Sequence, residues 1–280
     1  MARAKTSTDG GSVQLGGITG SGLRGISARK ANLSGDGIDQ NNFLDGIHLN
    51  GYLGSLLIGN ITDGADITTL ANPINPLLKT RINALLIKDG TGIDVGAPVS
   101  SLMATGFGAG SLRAPSIGTM MVRGPMAADV TVTGVGVDPT KKALGLLRVT
   151  GAVTGSDIMV TGNVGTVVVG AFRDSRMFVG YSGPDDGVGG TWAPQGFTVG
   201  TFRANGKFDD FQNSRVIATA FKSVSIANYF NSLDVNTEFG FYADVSLGLV
   251  KVMSPVKWAY NATLPTPQGP GIGWFVVQLV

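Results

Sequence analysis

Cysteine is absent from this 280-residue chain, which excludes disulfide bonds and thiolate metal sites. Charge is also scarce: Asp, Glu, Lys and Arg make up 14% of the residues, and the formal net charge is only +2. The basic residues stand singly apart from Arg29-Lys30 and Lys141-Lys142, with no aromatic residues interleaved, so nucleic acid is not an expected partner. No run of eighteen apolar residues occurs, so no transmembrane helix is expected. The first residues (Met1-Ala2-Arg3-Ala4-Lys5-Thr6) are basic but lead into no apolar run, and do not read as a signal peptide. Gly-x-Ser-x-Gly, P-loop and His-based metal motifs are all missing. The single histidine, His48, sits in Ile47-His48-Leu49 on the face opposite its apolar neighbours and reads as solvent-facing.

Glycine is abundant instead: 43 of 280 residues, about twice the usual share of about 7%. With no collagen period, the expected use is at sharp corners that need positive φ. Mean hydropathy is +0.22, unusually apolar for so few charges. Stacked repeat units account for that, because successive units cover one another.

A short phrase recurs. Val164-Gly165-Thr166-Val167-Val168-Val169 matches Ile117-Gly118-Thr119-Met120-Met121-Val122 and Leu53-Gly54-Ser55-Leu56-Leu57-Ile58. Leu144-Gly145-Leu146-Leu147-Arg148-Val149 and Leu247-Gly248-Leu249-Val250-Lys251-Val252 follow the same template, and segments 82–87, 199–204 and 221–226 follow it loosely. A second phrase, Asp followed by Ile or Val, trails the first by twelve or thirteen residues at Asp66, Asp94, Asp129, Asp157 and Asp234. Two short strands per unit are expected, with a shortest period of twenty residues between Leu144 and Val164. That spacing fits about seven to nine coils in the chain.

Strand side chains alternate, so template positions four and six share one face. They hold Leu56/Ile58, Leu85/Ile87, Met120/Val122, Leu147/Val149, Val167/Val169 and Val224/Ile226, the expected core stack. Position five faces outward and holds Leu57, Leu86, Met121, Arg148, Val168, Arg203, Ser225 and Lys251. Leu57, Leu86 and Met121 would align as an apolar stripe, covered by Leu77-Leu78 of an excursion over 70–81 or serving as a contact for another subunit. Excursions are expected at 70–81, 96–116, 135–143, 181–198 and 236–246, all leaving along one edge.

These phrases, in 53–58, 117–133 and 144–179, resemble the Gly-rich β-solenoid repeats of large secreted or surface bacterial proteins such as those of planctomycetes. More broadly they resemble right-handed parallel β-helices. The resemblance implies an all-β, right-handed parallel β-helix (β-solenoid) with coils of about 20 residues, loop insertions along one edge and a capped carboxyl end. One domain is expected over 1–280: irregular first coils or an amino-terminal cap in 1–52, repeat coils in 53–252, and a cap in 253–280. Pro255, Trp258, Tyr260, Pro265, Pro267, Pro270 and Trp274 break the repeat at that end. Trp258 and Trp274 are alternatively a carbohydrate-stacking platform. An outer-membrane barrel needs strands of about nine to eleven residues, longer than the four to six read here.

The expected function is a non-enzymatic extracellular or cell-surface structural, adhesive or matrix element, with a cell-surface protein or polysaccharide as partner and a homo-oligomer possible. The alternative is a polysaccharide-acting lyase or hydrolase. Its weak catalytic candidates are Asp174, Asp185, Asp186, Asp209 and Asp210, because glycoside hydrolysis needs two carboxylates flanking one bond. Polygalacturonase-like β-helix enzymes carry Asn-Thr-Asp, Asp-Asp and Gly-His-Gly motifs; only Asp-Asp occurs here. No cofactor is expected. Asp36, Asp39, Asn41 and Asp45 gather oxygens close to glycines, as a calcium loop or a polar turn would. The EF-hand spacing fails there, with Phe43 at position five and no Glu at twelve. The repeated Asp reads as an acceptor of backbone N–H bonds at a corner.

Overall fold

A computed structural model describes residues 13–35, 45–62, 64–72, 75, 77–185, 187–206, 210–230, 238–270 and 274–280. The described residues are all-β and contain no helix, so none that could cross a membrane. Their strands pair in long parallel ladders.

There are three ladders, one more than the phrases foretell. The first carries the template: Ile26–Ala28, Ser55–Ile58, Thr80–Asn83, Val99–Ala104 and Ile117–Val122. It continues through 142–149, 163–169, Thr198–Ala204 and 220–226 to 246–252. The second carries the Asp phrase, from Ile18–Gly20, Gly46–Leu49 and Asp66–Thr69 through Asp157–Val160 and Arg176–Val179 to Phe275–Leu279. The third links Val13–Leu15, Ala31–Ser34, Asn60–Thr62 and Leu86–Ile87, narrows to single bridges at Phe107 and Met126, and widens again through Phe211–Gln212. Isolated members of two to four residues carry no readable alternation, which is why sequence pattern misses this ladder. From Ile26 to Ala243 each rung visits first, third and second ladder in turn.

The register step between rungs runs from 18 residues, Ser101 to Thr119, up to 39, Arg176 to Arg215. The expected excursion at 96–116 is in fact a complete rung: Val99–Ala104, the Phe107 bridge and Ser111–Ala114. It escapes the template because Ser100 stands where the phrase has Gly. Residues 239–246 form no excursion either, since Phe239–Ser254 runs unbroken from the second ladder into the first. Residues 70–79, 133–141 and 180–197 do interrupt the same corner. The step from Ala204 in the first ladder to Phe211 in the third is lengthened too, so insertions are not confined to a single edge.

One apolar cluster extends from Leu33 to Val277. Leu56, Met120, Val122, Leu147, Val149, Val167, Val169, Val224 and Ile226 are all buried, and Arg148 is exposed, as the alternation predicts. The template over 82–87 is out of phase. Ser55 pairs with Arg81 and Leu57 with Asn83, which leaves Leu85 57% exposed and puts Leu86 opposite Asn60 in the third ladder. Leu86 therefore leaves the expected stripe. The outer row reads Leu57, Asn83, Met103, Met121, Arg148, Val168, Arg203, Ser225, Lys251. Nor does the 70–79 insertion bury its leucines, since Leu77 is 82% exposed.

The template glycine serves close approach rather than positive φ. At Gly54, Gly118, Gly145, Gly165, Gly200 and Gly248 a Cβ would lie 2.2–2.6 Å from a carbonyl oxygen of the neighbouring rung.

Candidate functional site

Where the third ladder turns into the second, the late rungs use a left-handed residue: Gly155 (φ 63), Asp174 (φ 47) and Asn213 (φ 40). A short polar side chain is the best non-Gly tenant of that conformation. The next residue in each rung, Ser156, Ser175 and Ser214, turns inward and is buried. Ser156 N donates to Ser175 Oγ and Ser175 N to Ser214 Oγ, both at 3.1 Å, so hydroxyls satisfy the buried corner amides. The residue after that, Asp157, Arg176 or Arg215, faces outward in one register row.

This geometry lines a cleft of about 340 Å³ with Asp129, Asp157, Asp174, Arg176, Asp185, Asn213 and Arg215. Arg176 Nε donates to Asp157 Oδ1 at 2.7 Å, and Arg176 Nη2 pairs with Asp157 Oδ2. Arg176 Nη1 lies 3.3 Å from both oxygens of Asp185, which comes from the 180–197 insertion. Arg215 Nη1 reaches Asp185 Oδ2 at 3.2 Å, while its Nε and Nη2 donate to the Glu238 carbonyl. The hydrogen bond to Asp157, followed by the charges of Asp157 and Asp185, holds the Arg176 proton more firmly than usual. Asp129 Oδ1 accepts from Asp157 N at 2.8 Å, and Asp174 Oδ1 from Asn213 Nδ2 at 2.9 Å. Arg176 therefore lies between Asp157 and Asp185, where an acid/base pair would need its substrate.

Of the acidic candidates, Asp174 and Asp185 meet here. Asp210 does not line the cleft; it is fully buried, with its carbonyl accepting from Phe172 N. Asp186 and Asp209 lie outside the described residues, as do Asp36, Asp39, Asn41 and the repeated Asp234. Asp45 is described, and its carbonyl accepts from His48 Nε2 at 3.0 Å. Among the described residues no three His, Asp or Glu side chains converge to hold a metal ion. Trp258 packs partly buried on the core and Trp274 is 39% exposed.

Sequence reasoning missed the arginines. Their signal is positional: Asp129, Asp157, Arg176 and Arg215 occupy one row on successive rungs. The repeated Asp does accept backbone N–H bonds, but from the next rung, as at Asp66 Oδ1 to Gly92 N (2.7 Å). Asp94 is not a member of that row, because it pairs with Thr68. Comparison of the chain with protein-family profiles, curated proteins and solved structures finds no match.

Proposed function

We propose that this chain is a right-handed parallel β-helix acting as a non-enzymatic structural or adhesive element of an extracellular or cell-surface bacterial assembly. Three parallel ladders visited in the same order by the rungs from Ile26 to Ala243 support the helical coil, and parallel crossovers are overwhelmingly right-handed. The carboxyl end supports a cap: Lys251 and Val252 pair antiparallel with Ala259 and Trp258, and Trp258 and Tyr260 pack on the core. Such a device blunts an open strand edge.

The observation that carries the non-enzymatic reading is the cleft itself. Its carboxylates are occupied in bonds between rungs, Asp129 to Asp157, Asp157 to Arg176, and Asp185 to Arg176 and Arg215. An acid–base pair needs one group free to give a proton and one free to take it. The meeting of Asp174 and Asp185 favours the polysaccharide-acting alternative, and one experiment separates the two. Wild-type protein and Asp174→Asn/Asp185→Asn are incubated with pectate and alginate. The structural reading expects neither new reducing ends nor unsaturated products from either protein. Product from the wild type that disappears in the variant would make the chain an enzyme.

A further inference from the structure

A second, larger cleft lies on the outer face of the early rungs, about 670 Å³ in volume and away from the acidic cluster. Arg24, Arg29 and Arg81 line it. Among the described residues no carboxylate pairs with any of the three; the ion pairs found there all involve Arg176 or Arg215. The local sequence explains why. Residues 13–35 contain Arg24, Arg29 and Lys30 and no acid, and residues 46–62 contain no acid at all.

The arginines are spread. Arg24 and Arg29 bracket Ile26–Ala28, so their backbones stand at opposite ends of one strand. Arg81 pairs with Ser55, which in turn stands beside Gly25, so Arg81 lies two rungs from Arg24. Two rungs are about 9–10 Å. Side chains anchored along such a span can engage a chain that bears an oxyanion on successive units. Guanidinium groups prefer planar or tetrahedral oxyanions, which they grip with paired N–H donors. Between the charges the lining is apolar at Leu23 and Leu57 and offers hydroxyl and amide groups at Ser55 and Asn83. That mixture suits the C–H face and hydroxyls of a sugar ring. Among the described residues no aromatic side chain lines the cleft to offer the base stacking that single-stranded nucleic acid uses.

We infer that this cleft binds an acidic polysaccharide, a sugar polymer carrying carboxylate or sulfate groups. The inference goes beyond the structural reading and does not use the acidic cluster. Its test is calorimetric titration with alginate oligomers, dextran sulfate, neutral dextran and single-stranded DNA. Arg24→Gln/Arg29→Gln/Arg81→Gln is compared with Arg148→Gln/Arg203→Gln/Lys251→Gln, which removes equal charge from the same outer face. All six side chains are exposed, and unchanged melting curves will show that both variants fold. The expected result is that alginate or dextran sulfate binds the wild type, the cleft variant binds at least about tenfold more weakly, and the control stays within about twofold. Whichever anion binds names the group recognised. Four outcomes overturn the inference: no binding of either acidic polymer, equal losses in both variants, equal binding of neutral dextran, or tighter binding of DNA.

Discussion

Residues 13–95 and 142–254 are built on the same three ladders and filled differently. The early strands have two to four residues, while the late region contains strands of 11, 13 and 16 residues that bend around corners without a break. Early rungs pack Leu33, Ile47, Leu56, Ile61, Ile67 and Ile82; late rungs pack Phe172, Phe202, Phe211 and Phe241 with centroids 5.0–6.1 Å apart. The outer faces diverge as well. Arg176 and Arg215 are tied to Asp157 and Asp185, whereas Arg24, Arg29 and Arg81 face no described carboxylate. The lesson is that parallel backbone pairing repeats whatever fills the interior, because its hydrogen bonds are main-chain to main-chain. Rings and ion pairs reinforce the late rungs, and on the early surface Arg24, Arg29 and Arg81 pair with no carboxylate among the described residues.

The largest break in this comparison should come from Phe211→Ala. Phe211 touches Phe172, Phe202, Phe239, Phe241 and Phe275, so its removal opens one cavity among five rings. Urea unfolding should show a loss of about 3–5 kcal/mol, above that of Leu56→Ala in the aliphatic rungs. Equal losses would mean that the aromatic stack adds nothing beyond burial. Next comes Gly145→Ala, whose Cβ would lie 2.3 Å from Gly118 O. A cost of about 1–3 kcal/mol is expected from forcing two rungs apart. Lys222, which stands at the same register position in another rung, should tolerate Lys222→Ala almost without effect.

The smallest effect is expected from Asp185→Asn, which removes the charge shared by Arg176 and Arg215 while Arg176 keeps Asp157 and Arg215 keeps the Glu238 carbonyl. Its side chain is 34% exposed and that of Arg215 18%, so the screened network should contribute no more than about 1 kcal/mol. Thermal melts in low and high salt check this, and the difference from wild type should shrink as salt rises. Salt-independent destabilisation would show that the insertion carrying Asp185 is held by packing instead.

Part of this arrangement can be read along the chain. Alternation over 117–122, 144–149 and 164–169 tells inside from outside, and Arg148 among valines marks the outer face. Two of the acidic candidates, Asp174 and Asp185, do meet in one cleft. The phase over 82–87 is not readable, because Leu85, Leu86 and Ile87 are all apolar and only pairing with Asn60 and Ile61 decides which turns inward. The rung at 99–114 is hidden for a related reason: Ser100 replaces the marker glycine while the backbone path is kept.

The sequence by itself therefore determined strand character and the facing of side chains, since both follow from a local period of two. It also determined that units repeat. Only the tertiary structure decided the number of ladders, the register of each rung and the partners of each charge. Those depend on residues brought together from 18 to 39 positions apart, across corners and insertions of varying length. Arg215 meets Asp185 because an insertion folds back over two rungs, and Arg81 joins Arg24 because a single rung stacks between them. Chain distance carries no record of either meeting.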